Sequence, residues 1–300
     1  MLRSLVPLLF SASLVVDAPA KDSDPRSAIL ERITWEMTSW KTVEVRITQS
    51  FQFHSAFNGG HMAQGLYTSA DSHLILTQDG KKMLDVKSTT KAGPVSRTLA
   101  FDDGAECARV EFDRATGRPT AVGITQLFLT EGRPEAGPSR FPGQYQFLYL
   151  GGTPIHKSLA SSTYLGRSEV LGRTCGRLLL KDAHLGRAPM DLTLHFDSRT
   201  GTLLKVVALA DIAGRKFEHL QWEAESIEKK QGREYVAKSR LSTYKLDADH
   251  QERVPLYTFG YAVDEIRYDH AFPLSSFRPT LVPGMQVVDK IRSKMYIVGD

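Results

Sequence analysis

Cysteine is scarce in this sequence, with only Cys107 and Cys175 among 300 residues. No cysteine lies near the N-terminus, which excludes the lipid-modified cysteine of a bacterial lipoprotein. No C-x-x-C pair is present either, so a thiol catalyst or a cysteine metal site is disfavoured. Two interpretations of the pair stay open. In an exported protein the two could form a disulfide contributing about 4 kcal/mol, or they are small buried residues that never meet.

The sequence also lacks any block of basic residues. Its net charge is +4, and the lysines and arginines are scattered along the chain. Because nucleic-acid binding needs a concentrated basic patch, no nucleic-acid partner is expected. Attraction to anionic lipid is weakly supported, and only transient membrane contact is expected.

Catalytic motifs are missing as well. The sequence contains no H-E-x-x-H, G-x-S-x-G, Walker or G-x-G-x-x-G pattern. Its nine histidines are dispersed, and none is paired with a carboxylate at helical ligand spacing. His195 and His219 are interpreted as polar residues on strands. We therefore predict a non-enzymatic protein with no catalytic residues, no metal and no cofactor.

The N-terminus carries the pattern of a secretory signal peptide. Arg3 supplies a positive charge, residues 5–16 are apolar, and Ala18-Pro19-Ala20 fits an A-x-A cleavage site. An uncleaved anchor is the alternative, but the apolar run is shorter than the roughly 20 residues that a membrane helix needs. The prediction is a signal peptide over residues 1–20. The mature chain, 21–300, is then a soluble monomer in the periplasm or another extracytoplasmic space.

An amphipathic helix is predicted over residues 25–39. Asp24 is a candidate N-cap, and Pro25 occupies the first turn, where proline is tolerated. Apolar side chains then recur at helical spacing at Ile29, Ile33, Met37 and Trp40. This stripe should cover a neighbouring apolar surface. A helix lying on a membrane is disfavoured because the polar face is not rich in lysine.

A long strand with two different faces is predicted directly after this helix, over residues 43–53. Its even positions are polar, and its odd positions are mostly apolar: Val43, Val45, Ile47, Gln49, Phe51 and Phe53. Successive side chains of a strand point to opposite faces, so one face should be buried and the other exposed. The strand therefore belongs to an antiparallel sheet or to a barrel wall curved around an apolar interior.

The rest of the chain predicts a meander of about ten or more short strands. The related hexapeptides at 112–117 and 196–201 are interpreted as hairpin turns. A proline- and glycine-rich loop and an aromatic cluster interrupt the meander around residues 131–160, which we interpret as a cover over an open mouth. The predicted fold is mainly β with a few helices (α+β). It is a large antiparallel, incompletely closed β-barrel covered by helices, and 21–300 form a single domain.

Several segments together carry a resemblance to a known family. They are the helix and first strand, Gln64-Gly65-Leu66-Tyr67, Phe101-Asp102-Asp103-Gly104, Phe196-Asp197 with Thr200-Gly201, and Phe277 with Pro283-Gly284 and Val287. The chain resembles the LolA/LolB-like superfamily of exported lipid and lipoprotein carriers. It looks most like the planctomycete-type proteins labelled outer-membrane lipoprotein-sorting. The resemblance implies a half-barrel whose helices cover an apolar cavity for acyl chains. One departure is Ala70-Asp71, which stands where the family has the Arg-Pro pair implicated in opening the cover.

This resemblance predicts a non-enzymatic carrier of lipid or lipoprotein acyl chains, with each buried methylene contributing roughly 0.8 kcal/mol. The candidate cavity residues are Trp35, Met37, Trp40, Val45, Ile47, Phe51, Phe53, Phe147 and Leu148. Each of them would also suit an ordinary core. Two alternative functions stay open. One is an envelope sensor or regulatory module that binds a protein partner without cargo, and the other is a structural envelope protein.

Overall fold

The computed structural model describes residues 24–54, 68–90, 93–113, 116–125, 141–150, 153–185, 189–212, 214–246 and 252–299. The predicted signal peptide, the 64–67 motif and the loop 131–140 lie outside the described residues. No helix in the described ranges is both long enough and apolar enough to cross a bilayer.

The described residues form three α-helices and seventeen strands. The helices are α1 Pro25–Thr38, α2 Tyr145–Leu148 and α3 Ile155–Ser158. The first eight strands are β1 Thr42–Phe53, β2 Ser69–Thr77, β3 Lys82–Thr90, β4 Gly93–Asp102, β5 Cys107–Phe112, β6 Pro119–Thr125, β7 Tyr149–Leu150 and β8 Thr153–Pro154. The others are β9 Thr163–Val170, β10 Arg173–His184, β11 Pro189–Asp197, β12 Leu203–Ile212, β13 Arg215–Lys230, β14 Arg233–Leu246, β15 Arg253–Tyr268, β16 Gln286–Asp289 and β17 Lys294–Ile297.

Fifteen of these strands make one open sheet. Their order is β17-β16-β6-β5-β4-β3-β2-β1-β15-β14-β13-β12-β11-β10-β9. The sheet is antiparallel except where β16 lies parallel to β6. Strands β7 and β8 form a separate two-stranded ribbon. The predicted fold class, a large antiparallel sheet that does not close, is confirmed.

Strand β1 lies at the centre of the sheet and joins its two halves. It pairs with β2 on one side and with β15 on the other. Val45 and Ile47 are buried, whereas Arg46 and Thr48 are exposed, as the alternation of the sequence predicts. The first strand after the helix therefore forms the middle of the wall that faces the interior.

Helix α1 covers part of this wall. The Asp24 carboxylate accepts hydrogen bonds from the backbone N–H groups of Arg26 and Ser27, which caps the helix N-terminus. The stripe of Ile29, Ile33 and Met37 is buried. The predicted amphipathic helix is present and ends at Thr38, one residue before the predicted end.

The sheet carries two separate apolar clusters. The interior core fills the concave side beneath α1 and the segment 141–161, and it includes Val45, Phe147 and Trp222. The back core lies on the opposite face of β2–β6, beneath the C-terminal segment 272–298. Its buried members are Ile75, Met83, Phe101, Ala108, Val110, Val122, Phe277, Met285 and Val287.

The two cysteines do not form a disulfide in this structure. Cys107 and Cys175 are both buried free thiols, on strands that lie far apart in the sheet order. Burial raises the pKa of Cys107 to about 12 and that of Cys175 to about 11. The disulfide interpretation is therefore wrong for this structure, and the alternative of two separate buried residues holds.

Candidate ligand-binding interior

The segment 141–161, here called the plug, occupies the concave face of the sheet. The Phe147 side chain is fully buried, and its ring lies 5.7 Å from the ring of Trp222 on β13, measured between centroids. Ile155 and Leu159 are also fully buried. The interior that the sequence predicts as a cavity is therefore filled by the protein's own side chains.

The attachment of the plug to the sheet is through side chains. Within the described residues, the backbone hydrogen bonds of the plug stay inside residues 141–162. Its firmest polar connection is Arg26 of α1, whose guanidinium donates to the carbonyl oxygens of Ala160 at 2.6 Å and Ser162 at 3.1 Å. In the part of the chain that the structure describes, the plug thus rests on apolar packing and on Arg26.

The turn between β11 and β12 fixes the position of α1. Asp197 accepts from the N–H groups of Arg199 and Thr200, and Gly201 adopts a φ of +81°. A Cβ at Gly201 would lie 2.7 Å from the carbonyl carbon and oxygen of Arg32. The turn interpretation is confirmed here, and its glycine permits close contact with the helix backbone.

Two small cavities remain on either side of Gln144 and Tyr145. The larger, about 30 Å³, lies between α1, the plug and the β11–β12 turn. The smaller is about 10 Å³ and lies against Ile47 of the sheet wall. Ligand pockets measure about 300–1,000 Å³, and one water needs about 10–15 Å³. In this conformation these two cavities, among the described residues, therefore have space for water-sized groups and not for an acyl chain.

Five of the nine predicted cavity residues do not line the larger cavity. Val45 and Phe147 are fully buried in the interior core, and Ile47 lines the smaller cavity. Phe51 and Phe53 lie further along β1, in an aromatic row with β15. Ring centroids there are separated by 4.8 Å for Phe51–Phe259 and 6.4 Å for Phe53–Tyr257.

Three other predicted residues, Met37, Trp40 and Leu148, do line the larger cavity. The placement of Trp35 inside the interior is wrong, because its side chain is 59% exposed. Trp35 is two residues past Ile33, which places it on roughly the opposite side of a helix of 3.6 residues per turn. Its ring instead lies 5.8 Å from the Arg233 guanidinium.

The larger cavity, hereafter the cleft, also contains ionisable groups. Glu36 of α1 and Glu234 of β14 both line it, together with Tyr145 and Tyr268. Burial raises the pKa of the Glu36 carboxyl to about 7, with Arg233 opposing the shift and Glu234 adding to it. A carboxyl in an apolar pocket whose pKa is raised this far is a frequent mark of a functional site.

Glu234 differs from Glu36 in being fully paired. Its carboxylate lies 2.5 Å from Arg173, 3.5 Å from Arg199 and 3.6 Å from Lys229. The side chain is nearly buried, so these cations compensate its charge where water is scarce. The cleft thus has one compensated and one uncompensated carboxylate.

Glu36 and Tyr268 were missed by the reasoning from sequence. A signal for Glu36 was present, because it is three residues after Ile33 and four before Trp40, within the apolar stripe of α1. Tyr268 ends the last long strand, and only the pairing of β1 with β15 brings it to the helix. Within the described ranges, no group of three His, Cys, Asp or Glu side chains is arranged to hold a metal.

Comparison with known proteins identifies the fold. No known family and no curated protein matches the sequence. Among solved structures, a DUF1329 family protein from Desulfovibrio piger ATCC 29098 matches at 12% identity and a TM-score of 0.52, covering 85% of this chain and 98% of that one. A LolA superfamily protein from Nitrosomonas europaea matches at 10% identity and a TM-score of 0.51, covering 85% and 97%. The chain therefore has a LolA-like fold, as the resemblance predicts.

Proposed function

We propose that the protein is an exported, non-enzymatic carrier that binds acyl chains of a lipid or lipoprotein between the sheet and α1. The observation that carries this proposal is the plug, an apolar segment held on the concave face by side-chain packing. In the loaded protein, acyl chain would replace plug side chains such as Phe147 against the sheet wall. The LolA-like fold supports the same function, which requires no reaction, cofactor or metal.

The energies of such an exchange are balanced. An acyl chain of about fifteen methylenes contributes on the order of 12 kcal/mol when buried. Lifting the plug exposes several large side chains, each costing about 1.5–3 kcal/mol. The two terms are similar in size, so cargo can displace the plug and the plug can return when cargo leaves. A periplasmic or other extracytoplasmic location for a monomer, with transient membrane contact, belongs to the same proposal.

Native mass spectrometry with lipid extraction on residues 21–300, recovered from an exported preparation, tests the proposal. We expect stoichiometric acyl lipid or acylated peptide, and uptake of a fluorescent fatty acid by the stripped protein. Ile47→Thr places a hydroxyl on the sheet wall and should weaken uptake several-fold, because an apolar ligand cannot satisfy it. Thr48→Val changes the exposed face of the same strand and is the matched control. A clean mass with no fatty-acid uptake would overturn the proposal.

A second function is favoured by the small volume of the cavities. A protein whose interior stays filled could act as an envelope sensor or partner-binding module that carries no cargo. This alternative predicts no fatty-acid uptake by either Ile47→Thr or the unaltered protein. It also predicts capture of a defined envelope protein by the mature chain.

A further inference from the structure

The cleft combines aromatic rings with an acidic group in a way that a purely apolar cavity would not. Trp40 lies just after α1, Tyr145 belongs to the plug, and Tyr268 ends β15. The Glu36 carboxyl is close enough to both tyrosines to raise the pKa of each hydroxyl, in addition to the larger effect of burial. Three rings and one carboxylate therefore converge on a space that water-sized groups can enter.

Two polar groups in the cleft have no partner. Among the described residues, the Glu36 carboxylate makes no hydrogen bond or ion pair. The Tyr268 hydroxyl likewise has no hydrogen bond, although only 9% of the residue is exposed. Both groups keep some contact with solvent, because neither is among the fully buried polar atoms that lack a partner. A ligand with several N–H donors could form hydrogen bonds with the Glu36 carboxylate and the Tyr268 hydroxyl at the same time.

The cations around the cleft are already engaged elsewhere. Arg233 donates to the hydroxyl and the carbonyl oxygen of Ser39, and its guanidinium lies 5.4 Å from the Tyr268 ring. Arg173 pairs with Asp197 and Glu234. Arg233 is near enough to lower the pKa of Glu36, but among the described residues no cation forms an ion pair with this carboxylate. The negative charge of Glu36 disfavours anions, and the aromatic rings favour a cation.

The size of the cavity selects among cations. A volume of about 30 Å³ has room for a group no larger than two waters. A primary ammonium meets this limit and has three N–H donors. A quaternary ammonium is larger and has no N–H to donate to Glu36 or Tyr268.

We propose that this cleft binds a primary alkylammonium group, with Glu36 as its counter-ion, the Tyr268 hydroxyl as a hydrogen-bond acceptor, and the rings of Trp40 and Tyr145 around it. The assignment deepens the proposed carrier function, on which it rests, by naming an amine as the polar group of the cargo that the cleft admits while the plug is still closed. Met37 and Leu148 are apolar neighbours that also line the cleft.

Titration of the mature protein with methylammonium, followed through Trp40 indole NMR shifts, tests this site. Methanol has the same number of heavy atoms without the charge, and tetramethylammonium has the charge without N–H donors. We expect methylammonium to bind at least tenfold more tightly than either. Glu36→Gln should abolish this preference, whereas Glu31→Gln, an exposed residue of the same helix, should leave it intact. Equal binding of the amine and the alcohol, or an unaffected Glu36→Gln variant, would overturn the proposal.

The pH dependence gives a second readout. Binding should tighten as pH rises through about 7, because the Glu36 carboxyl then ionises. Arg233, Glu234, Tyr145 and Tyr268 are the other charged or titratable groups facing it. A flat profile between pH 6 and 8 would contradict the role of Glu36. The two proposals can be tested separately. Amine preference without fatty-acid uptake would support the ammonium site and reject the carrier function. Fatty-acid uptake without amine preference rejects only the site.

Discussion

The two faces of the sheet are covered in different ways. On the back face, the C-terminal segment joins the sheet itself, because β16 pairs in parallel with β6 and the Lys290 N–H donates to the carbonyl oxygen of Ile124. On the concave face, the β7–β8 ribbon of the plug pairs only with itself. One cover is continuous with the backbone ladder and the other rests on side chains. We therefore expect the back cover to stay in place and the plug to be the part that moves.

The interior core also contains imperfections. Met285 and Val287 of the back core are almost completely buried against the sheet. The interior core contains two small cavities and the buried Trp222 indole N–H, which has no hydrogen-bond partner among the described residues. Each such donor costs about 1–3 kcal/mol. The closed interior is thus less than optimally stable, which lowers the free energy needed to open it.

The largest loss of stability is expected where the β11–β12 turn contacts the backbone of α1, because α1 holds the plug. Gly201→Ala places a Cβ against the Arg32 carbonyl and strains a positive φ. The free energy of unfolding should fall by about 3 kcal/mol or more. Gly172→Ala, at a φ of +69° with open space around it, shares the strain without the clash and is the control. Urea denaturation measures both, and equal losses would contradict the close contact.

The next prediction compares the two cores directly. Phe147→Ala in the plug and Phe277→Ala in the back core should each cost about 3 kcal/mol, because each removes a buried phenylalanine. Added fatty acid should restore the melting temperature of Phe147→Ala by filling its cavity, and should not restore Phe277→Ala. Equal responses of the two variants, measured by thermal denaturation with and without fatty acid, would remove the distinction between the cores.

A pH-dependent loss of stability is expected on the concave side. The Glu36 pKa is about 7 in the folded protein, above its ordinary value of 4.5, so folding takes up a proton between these values. The free energy of unfolding should fall by about 3 kcal/mol as pH rises from about 4.5 to about 7, and it should change little above that range. Glu36→Gln should remove this part of the dependence and be more stable than the unaltered protein at pH 8. Urea denaturation midpoints of both proteins at pH 5 and pH 8 test this prediction. The same pH dependence in both proteins would contradict it.

A smaller effect is expected where α1 holds the plug. Arg26→Ala removes hydrogen bonds to the plug carbonyl oxygens of Leu159 and Ala160 and to that of Ser162 directly after the plug, which should cost about 1 kcal/mol. Because the plug would open more often, fatty-acid uptake should become faster while the back cover is unaffected. Arg32→Ala, an exposed position on the same helix, is the control. Stopped-flow uptake that is unchanged in Arg26→Ala would show that this arginine does not hold the plug.

The sequence predicted those features that follow a local period. The stripe of α1, the alternation of β1 and the turn at Gly201 are set by neighbouring residues, and each is present in the structure. The apolar run Leu74-Ile75-Leu76 also contained information, because consecutive apolar residues indicate a strand buried on both faces. Leu74 belongs to the interior core and Ile75 to the back core.

The cleft could not be predicted in the same way, because its parts come from distant segments. Glu36, Tyr145 and Tyr268 meet only through the pairing of β1 with β15 and the return of the plug onto the sheet. The periodicity also gives no volume, so it could not distinguish an open cavity from a filled one. Trp35 was misplaced because an aromatic residue beside an apolar stripe was counted as part of it.

Hydrogen exchange measured by mass spectrometry on the mature protein tests most directly the claim that the plug opens independently of the rest of the fold. Peptides from residues 141–161 and from residues 284–298 are compared with and without fatty acid. We expect the plug peptides to exchange faster than global unfolding allows, and the C-terminal peptides to exchange only through global unfolding. Bound fatty acid should change the plug peptides selectively. Equal exchange in both segments, unaffected by fatty acid, would contradict the claim.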